Sequence, residues 1–482
     1  MASFKKNYLY QVIYEILAIG LPLITAPYIS RVLGAENLGV FSYTHSVANL
    51  FLMIARLGIV NHGSRYIAAY QKDYEKRSRA FSELFTIQAV AGLLLTIAYA
   101  IYVGFFVTTD KFIAFLQIIF VASAFFDVAW LYMGVENFKK TVTRNIFIKI
   151  FSLICIFIFV KERSDLAIYT VISTGSMLIG HLTLWIGIKK LVKWVKPTFA
   201  GIKAQLGSCF VMFIPTIAVT IYTVIDKIIL GNLSGSVQVG YYEQAAKLVA
   251  VPMGFITSFG AVMLPRMSAM AAEGASDEQS NKITAGSLVF MVAVATAVSF
   301  GLASVSKTLI PLYYGPEFLA CIPLLVLISI KLPVMAWANV VRTQCLIPRH
   351  RDSQYIISLF AGAFVNLGCN LILTPRFAAV GAAISTVIAE TAVCVFQTFY
   401  VRDILKIGKP LIQSFGFIVI GAVMMLAVKL VENILTTPAI ITLCIEILVG
   451  VVVFMVLAGI FACTVILKKS PKQAVKALIK RK

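Results

Sequence analysis

Ten charged side chains fall inside long apolar stretches of this sequence: Glu15, Arg56, Asp127, Lys149, Asp226, Lys227, Lys247, Lys331, Glu390 and Glu446. A charge at the centre of an apolar helix costs about 2.5–3.5 kcal/mol on insertion scales, so it normally faces protein or water and marks a pathway. Five of the ten are basic, which suits a cavity that offsets the charge of an anionic group in a place partly removed from water. Arg56 is the sharpest case, because it follows Asn49-Leu-Phe-Leu-Met-Ile-Ala with no adjacent acid. The alternative for Arg56 is snorkelling to the nearby end of its span.

Lys247 lies about two turns into its stretch, with Glu243 four residues before it as a structural partner. Lys331 sits between Pro323 and Pro333, where broken backbone hydrogen bonding lines cavities. Asp226 and Lys227 are adjacent and point to different faces, so they suit a gate at the end of their helix, and Arg31 holds the matching place on the first helix. Arg56, Lys247, Lys331, Arg31 and Lys227 are therefore the candidate anion-binding residues. Arg65, Asp127, Asp226 and Glu390 are the candidates for gating or ion coupling. Glu15 and Glu446 are weaker acids for either role, and Lys149 reads as a snorkelling lysine.

Covalent chemistry finds no support. There is no phosphate-binding G-x-x-x-x-G-K-[ST], no H-E-x-x-H and no G-x-S-x-G. The four histidines (His45, His62, His181, His350) lack ligand spacing, and the eight scattered cysteines form no C-x-x-C pair, so they read as small apolar residues. No metal and no cofactor is expected.

What must position these residues is a ladder of apolar stretches near 20 residues each, the length that spans a bilayer as a helix. Composition agrees, with 60% hydrophobic and 13% charged residues and a mean hydropathy of +0.91. The spacing predicts fourteen spans, at 8–30, 38–60, 83–107, 112–133, 141–160 and 166–188, then 206–230, 241–264, 283–306, 320–346, 354–374, 379–400, 411–431 and 438–467. Continuous apolar runs favour helices over the alternating strands of a barrel. The first run holds Glu15, Pro22 and Pro27 and is followed at once by another span, so it reads as a retained helix and not a cleaved signal.

Charge gives an orientation. Of the 42 Lys and Arg, 30 fall in every other gap and 7 in the opposite ones. By the positive-inside rule both termini face the cytoplasm. The net charge of +21 then needs no nucleic acid partner. The tail Lys468–Lys482, which mixes bases with Ala474, Val475, Leu478 and Ile479, suits either a short interfacial helix or a solubilising end. The gaps are too short to house a nucleotide-binding or glycosyltransferase domain. Transport remains.

The chain also repeats itself. Gly20-Leu-Pro22, Ile29-Ser-Arg31, Gly34 and Leu38-Gly39-Val-Phe are echoed by Phe213-Ile-Pro215, Ile225-Asp226-Lys227, Gly231 and Val239-Gly240-Tyr-Tyr. Pro375-Arg376 before Val380-Gly381 is a weaker third echo. Such repeats build many secondary transporters. The expected organisation is an N-lobe at 1–188, a basic cytoplasmic linker at 189–205, a C-lobe at 206–400, two further helices at 401–467 and the basic tail at 468–482.

Three stretches carry a family resemblance. They are Ile29-Ser-Arg31-Val-Leu-Gly34-Ala-Glu-Asn-Leu-Gly39-Val-Phe-Ser-Tyr, Gly58-Ile-Val-Asn-His-Gly63-Ser-Arg65-Tyr-Ile-Ala and Leu373-Thr-Pro-Arg-Phe-Ala-Ala-Val-Gly381-Ala-Ala. The chain resembles the Wzx-type polysaccharide flippases of the multidrug/oligosaccharidyl-lipid/polysaccharide (MOP) exporter superfamily. That resemblance implies an all-α polytopic membrane protein with two pseudo-symmetric six-helix lobes, two C-terminal helices and a V shape around a cationic cavity. It implies movement of an undecaprenyl-pyrophosphate-linked oligosaccharide to the outer leaflet of a bacterial cytoplasmic membrane by alternating access, with the prenyl tail along the last two helices. The partners would be that lipid-linked substrate, membrane lipids and polysaccharide polymerase or assembly proteins. Energy would come from an ion gradient, H⁺ or Na⁺, or from the membrane potential. Rival readings are a multidrug or cation antiporter of the related extrusion branch, a peptidoglycan-lipid or teichuronic-acid type exporter, and a membrane-embedded glycan polymerase or ligase.

Overall fold

The computed structural model describes residues 2–274, 276–435 and 437–466. The basic tail and the side chain of Glu15 lie outside the described residues. All regular structure among the described residues is helical. Among the described residues, eleven stretches are long and apolar enough to cross a membrane. Two of these, Gly20–Ala69 and Asp352–Phe399, run to 50 and 48 residues, more than one crossing needs, and each contains a residue with non-helical backbone angles. Counting those two as pairs, and adding the helix Phe199–Ser234, gives the fourteen crossings that hydropathy predicts. The chain is a multi-pass membrane protein.

By packing it divides into two units, 1–240 and 241–482. The division falls later than the 189–205 linker, because the helix after that linker packs against helices that precede it. The first unit opens with α1 (Ala2–Arg56), broken at Gly34 (φ 75°, ψ 175°). Leu57 and Gly58 (φ 45° and 71°) then separate it from α2 (Ile59–Ala69). α3 (Tyr74–Phe105) starts where Asp73 accepts from the Lys76 N–H at 3.0 Å, an N-cap that satisfies a donor the helix leaves open. α4 (Lys111–Leu116), α5 (Ile118–Ala122) and a 3₁₀ turn at Ser123–Phe126 lead to α6 (Ala129–Gly134). α7 (Phe138–Phe159), α8 (Leu166–Trp185) and α9 (Phe199–Ser234) follow.

One core cluster of this unit joins Ile59, Ile67, Leu84, Trp130, Leu184 and Cys209, all fully buried. Its closeness depends on small residues: a Cβ on Gly63 would lie 2.9 Å from the Trp130 ring, and one on Gly134 would lie 2.6 Å from Ile67. The Gly63-Ser-Arg65 stretch is thus first a packing surface for α6.

The second unit takes up most of α10 (Ser236–Ala272), then α11 (Asp277–Tyr313), α12 (Cys321–Ser329), α13 (Lys331–Val341) and α14 (Asp352–Phe399). Within α14, Ala378 has φ 48°, and a Cβ on Gly381 would sit 2.3 Å from the Leu373 carbonyl. Residues eight apart in a straight helix are separated by about 12 Å, so the chain doubles back here. α15 (Gly408–Ile434) and α16 (Ala439–Phe461) close the unit, with Phe417, Met424 and Phe454 packed around Val289 of α11.

The repeat acquires a register. Gly235, between α9 and α10, has φ 83° and ψ 168°, close to the 75° and 175° of Gly34. Each is followed five residues on by Gly39 or Gly240. The turn that matches Gly34 is therefore Gly235, not Gly231, and the residue matching Arg31 is Asn232, not Lys227. Gly231 lies inside α9, where a Cβ would strike the Tyr43 ring at 2.2 Å.

Candidate functional site

Two neighbouring crossings of the first unit are interrupted, and the interruptions meet. α1 stops at Arg56 because Leu57 and Gly58 take left-handed angles. Glycine is needed at 58 twice over, since a Cβ would also approach the Cys209 carbonyl to 2.5 Å and the Phe213 nitrogen to 2.8 Å. Opposite, the 3₁₀ turn ends at Asp127, which is extended (φ −74°, ψ 101°), before α6 begins at Ala129. Unwound backbone at bilayer depth is tolerated only where other groups take up its hydrogen bonds. Gln88 does so: its side-chain nitrogen donates to the Ala124 and Asp127 carbonyls at 2.7 and 2.6 Å, while its oxygen accepts from Trp130 Nε1 at 2.9 Å.

The carboxylate is held just as fully. Asp127 Oδ1 accepts from the Ala129 N–H at 3.1 Å, and Oδ2 lies 2.9 Å from Arg56 Nη2. His181 of α8 brings Nε2 to 3.8 Å from the same Oδ2. Its Nδ1 lies 2.9 Å from the Ser123 carbonyl, which can only accept, so Nδ1 carries a hydrogen. The neutral ring then turns a lone pair toward a carboxylate, and a proton taken up on Nε2 would convert that contact into an attraction. Asp127 and His181 are buried, whereas the Arg56 side chain keeps 29% of its surface open. Arg56 Nε is buried and makes no hydrogen bond among the described residues. The cluster can hold a charge at depth and can accept a proton.

Two sequence expectations meet here. Arg56 and Asp127 were separate candidates for different roles; they form one ion pair, 71 residues apart in the chain, so Arg56 has the acidic partner its neighbourhood lacked. His181 was set aside for want of ligand spacing. Its signal was position alone, as a titratable side chain within a span.

The other candidates in the first unit are Arg31, exposed and three residues before the Gly34 break; Asp226, buried, and Lys227, half-buried, on α9; and Arg65, exposed on α2, whose guanidinium lies 3.8 Å from Met212 Sδ. Around the repeat's glycines the two segments touch: a Cβ on Gly39 would fall 1.8 Å from the Ser236 carbonyl, and one on Gly240 2.1 Å from the Ala35 carbonyl. The residue after each turn glycine thus meets the second glycine of the other segment.

In the second unit Lys331 stands at a break in the helical hydrogen bonding, as Pro333 predicts, while Ile330 before it keeps right-handed helical angles (φ −57°, ψ −29°). α12 ends at Ser329 and α13 begins at Lys331. Pro333 has no N–H to give the Ser329 carbonyl four residues back, and Ser299 Oγ donates to that carbonyl instead at 2.7 Å. Lys247 and Glu243 are half-buried on α10, and Glu390 is buried on α14. Glu446 is fully buried and accepts from Thr308 Oγ1 at 2.9 Å. The eight cysteines are all free, and no cluster of three metal-ligating side chains occurs among the described residues.

Comparison with known proteins places this geometry. The sequence profile of the family described as "Polysaccharide biosynthesis protein" matches residues 4–271, more than half of the chain. A protein of Escherichia coli (strain K12) named "Putative O-antigen transporter" is 24% identical over 408 residues, covering 83% of this chain and 97% of that one. The solved structure "Lipid II flippase MurJ, inward closed conformation" matches with a TM-score of 0.76 at 17% identity, over 95% of this chain and 99% of that chain. A multidrug resistance MATE family transporter of the MOP superfamily, in an inward-facing conformation, matches with a TM-score of 0.60 at 13% identity, over 80% of this chain and 94% of that chain. At these identities the two structures establish the fold, which is the all-helical MOP fold that the resemblance implied.

Proposed function

Since the chain belongs to the polysaccharide biosynthesis protein family, we propose that it is a flippase that carries an undecaprenyl-pyrophosphate-linked oligosaccharide from the cytoplasmic to the outer leaflet of a bacterial cell membrane. The observation that carries this reading is the Arg56 site. A guanidinium anchored on a buried carboxylate, yet open over 29% of its surface, is poised to donate to a diphosphate oxygen from a fixed position. Its setting at the junction of interrupted helices is where transporters build their substrate and ion sites.

In this mechanism Arg56, with Lys247, Lys331, Arg31 and Lys227, offsets the diphosphate charge while the sugars stay in water and the prenyl tail stays in lipid. The two six-helix lobes alternate access, and no covalent bond changes. Asp127 and His181 are the coupling pair: a proton on His181 competes with Arg56 for the carboxylate and frees the guanidinium for the substrate. Asp226 and Glu390 are further coupling candidates, and Arg65 guards the cytoplasmic side. The lipid-linked glycan and its polymerase or assembly machinery are the expected partners.

The test is complementation of a bacterial strain that lacks its own polysaccharide flippase. The wild-type gene should restore surface polysaccharide, and Arg56→Ala, inserted at an equal level, should restore less than about a tenth of it, the loss expected for one charge-assisted contact. Full display with Arg56→Ala would remove the residue from the mechanism. Drug resistance without surface polysaccharide would favour the multidrug antiporter, a reading that draws on the MATE-like fold and the buried acids.

A further inference from the structure

A second basic site lies on the first unit, next to the Arg56 cluster, with the charge of Arg144 felt in both. The start of α7 and the end of α8 border an open cavity of about 500 Å³. Lys139, Lys140 and Arg144 line it, with Asn137 and Thr143 as neutral donors, and no acid is among the residues that form it. Lys140 and Arg144 are four residues apart, and so are Lys139 and Thr143, so both pairs stack along the helix surface. Lys140 is held in place by donating to the Tyr132 hydroxyl at 2.9 Å and to the Ile186 carbonyl.

The helix start itself asks for an anion. The first turn of α7 holds two lysines and no acid, and Asn137 makes no capping hydrogen bond with its side chain. Cations beside the positive end of a helix dipole are unfavourable, and an anion there reverses the sign. Beside Thr183, the rest of the lining is apolar: Phe147, Ile148 and Leu184 form its wall. That wall runs on into the exposed hydrophobic face of α7, through Phe147, Phe151, Ile154 and Ile158. A basic rim above a greasy wall that opens sideways matches one kind of molecule. By the charge asymmetry of the gaps, this rim belongs to the cytoplasmic leaflet, the one that carries anionic lipids.

We propose that this cavity binds the phosphate headgroup of an anionic phospholipid, with the acyl chains lying along α7. Free phosphate would match the rim but not the wall. The site does not depend on the flippase reading, since it needs only a membrane and a helix start. It does connect to the buried ion pair, because a Cβ on Gly180, the neighbour of His181, would lie 2.9 Å from the Arg144 guanidinium.

The test uses the full-length protein in a non-ionic detergent, titrated with phosphatidylglycerol, phosphatidylcholine or inorganic phosphate and read by native mass spectrometry. Phosphatidylglycerol should be retained in preference to phosphatidylcholine and should not be displaced by phosphate. K140Q/R144Q should weaken its binding by about tenfold or more, the effect of removing two interfacial charges. K139E, at an exposed position where folding is not at stake, should weaken it several-fold, and K406Q, an exposed lysine in another gap, should not. Equal retention of the two lipids, displacement by inorganic phosphate, wild-type binding by K139E, or equal losses with K406Q would each overturn the assignment.

Discussion

Arg56, Asp127 and His181 form a unit whose members are worth little apart. Removing Arg56 leaves a buried carboxylate that keeps the Ala129 N–H and the more distant His181 and Arg144 but no directly paired charge, a change that costs about 3–5 kcal/mol when a buried pair is broken. Removing the charge of Asp127 leaves a guanidinium that can still reach water, so the cost should be smaller. Arg56→Gln should therefore lower the thermal midpoint of the purified protein more than Asp127→Asn, and the double variant should recover part of the Arg56→Gln loss. Strict additivity would mean the pair is not coupled. At this scale the sequence was legible for single residues and silent on partners. Arg56 and Asp127 stand out as charges in apolar runs, but nothing in one chain says that positions 71 apart touch. His181 does not stand out in the sequence, because a neutral imidazole adds no formal charge to its span and has no ligand spacing to other histidines.

Among the elements, the breaks matter more than the helices. Pro333 made the interruption at Lys331 legible, whereas the rescue of the Ser329 carbonyl by Ser299 was not, because it comes from another helix. Ser299→Ala should leave that carbonyl unsatisfied and cost about 1–3 kcal/mol in detergent unfolding; no change would mean the break is sustained otherwise. The repeat was legible in kind and misregistered in detail, since a glycine inside a helix and one in a left-handed turn look alike as letters. Gly39→Ala and Gly240→Ala should each force apart the segments that cross there, with an overpacking cost of about 1–3 kcal/mol, while Gly20→Ala, where a Cβ meets nothing within 4 Å, should be silent. Thermal midpoints of the three variants check this.

One loop contact carries a pH dependence. Arg351 Nη1 donates to Asp403 Oδ1 at 3.0 Å and Nη2 to Oδ2 at 2.5 Å, which holds the Asp403 carboxyl below the usual carboxylate range. A depressed native pKa contributes stability above the unfolded value, near 4, and that contribution fades as pH falls through the native value. The stability gap between wild type and Asp403→Asn should thus be constant near neutrality and close in acid; a gap that widens in acid would contradict the pairing.

For the whole molecule, hydropathy sufficed to count the crossings, because a bilayer imposes one length on every one of them. It did not show that two pairs of crossings join through single-residue breaks, at Gly34 and Ala378, or that packing would divide the chain after Gly240. Those depend on which faces meet. The proposed orientation rests on charge alone, and reporter fusions check it: alkaline phosphatase joined after Lys193 should be inactive and joined after Lys161 active, and the reverse pattern would invert the topology. The central claim is movement of a lipid-linked glycan, and it is tested most directly in liposomes that contain only the purified protein and a defined undecaprenyl-pyrophosphate oligosaccharide. The fraction of glycan reachable by an external lectin should rise with time for the wild type, faster under an inward-to-outward ion gradient, and stay at the protein-free level for Arg56→Ala. Exposure at the protein-free rate with correctly folded wild type would contradict the account.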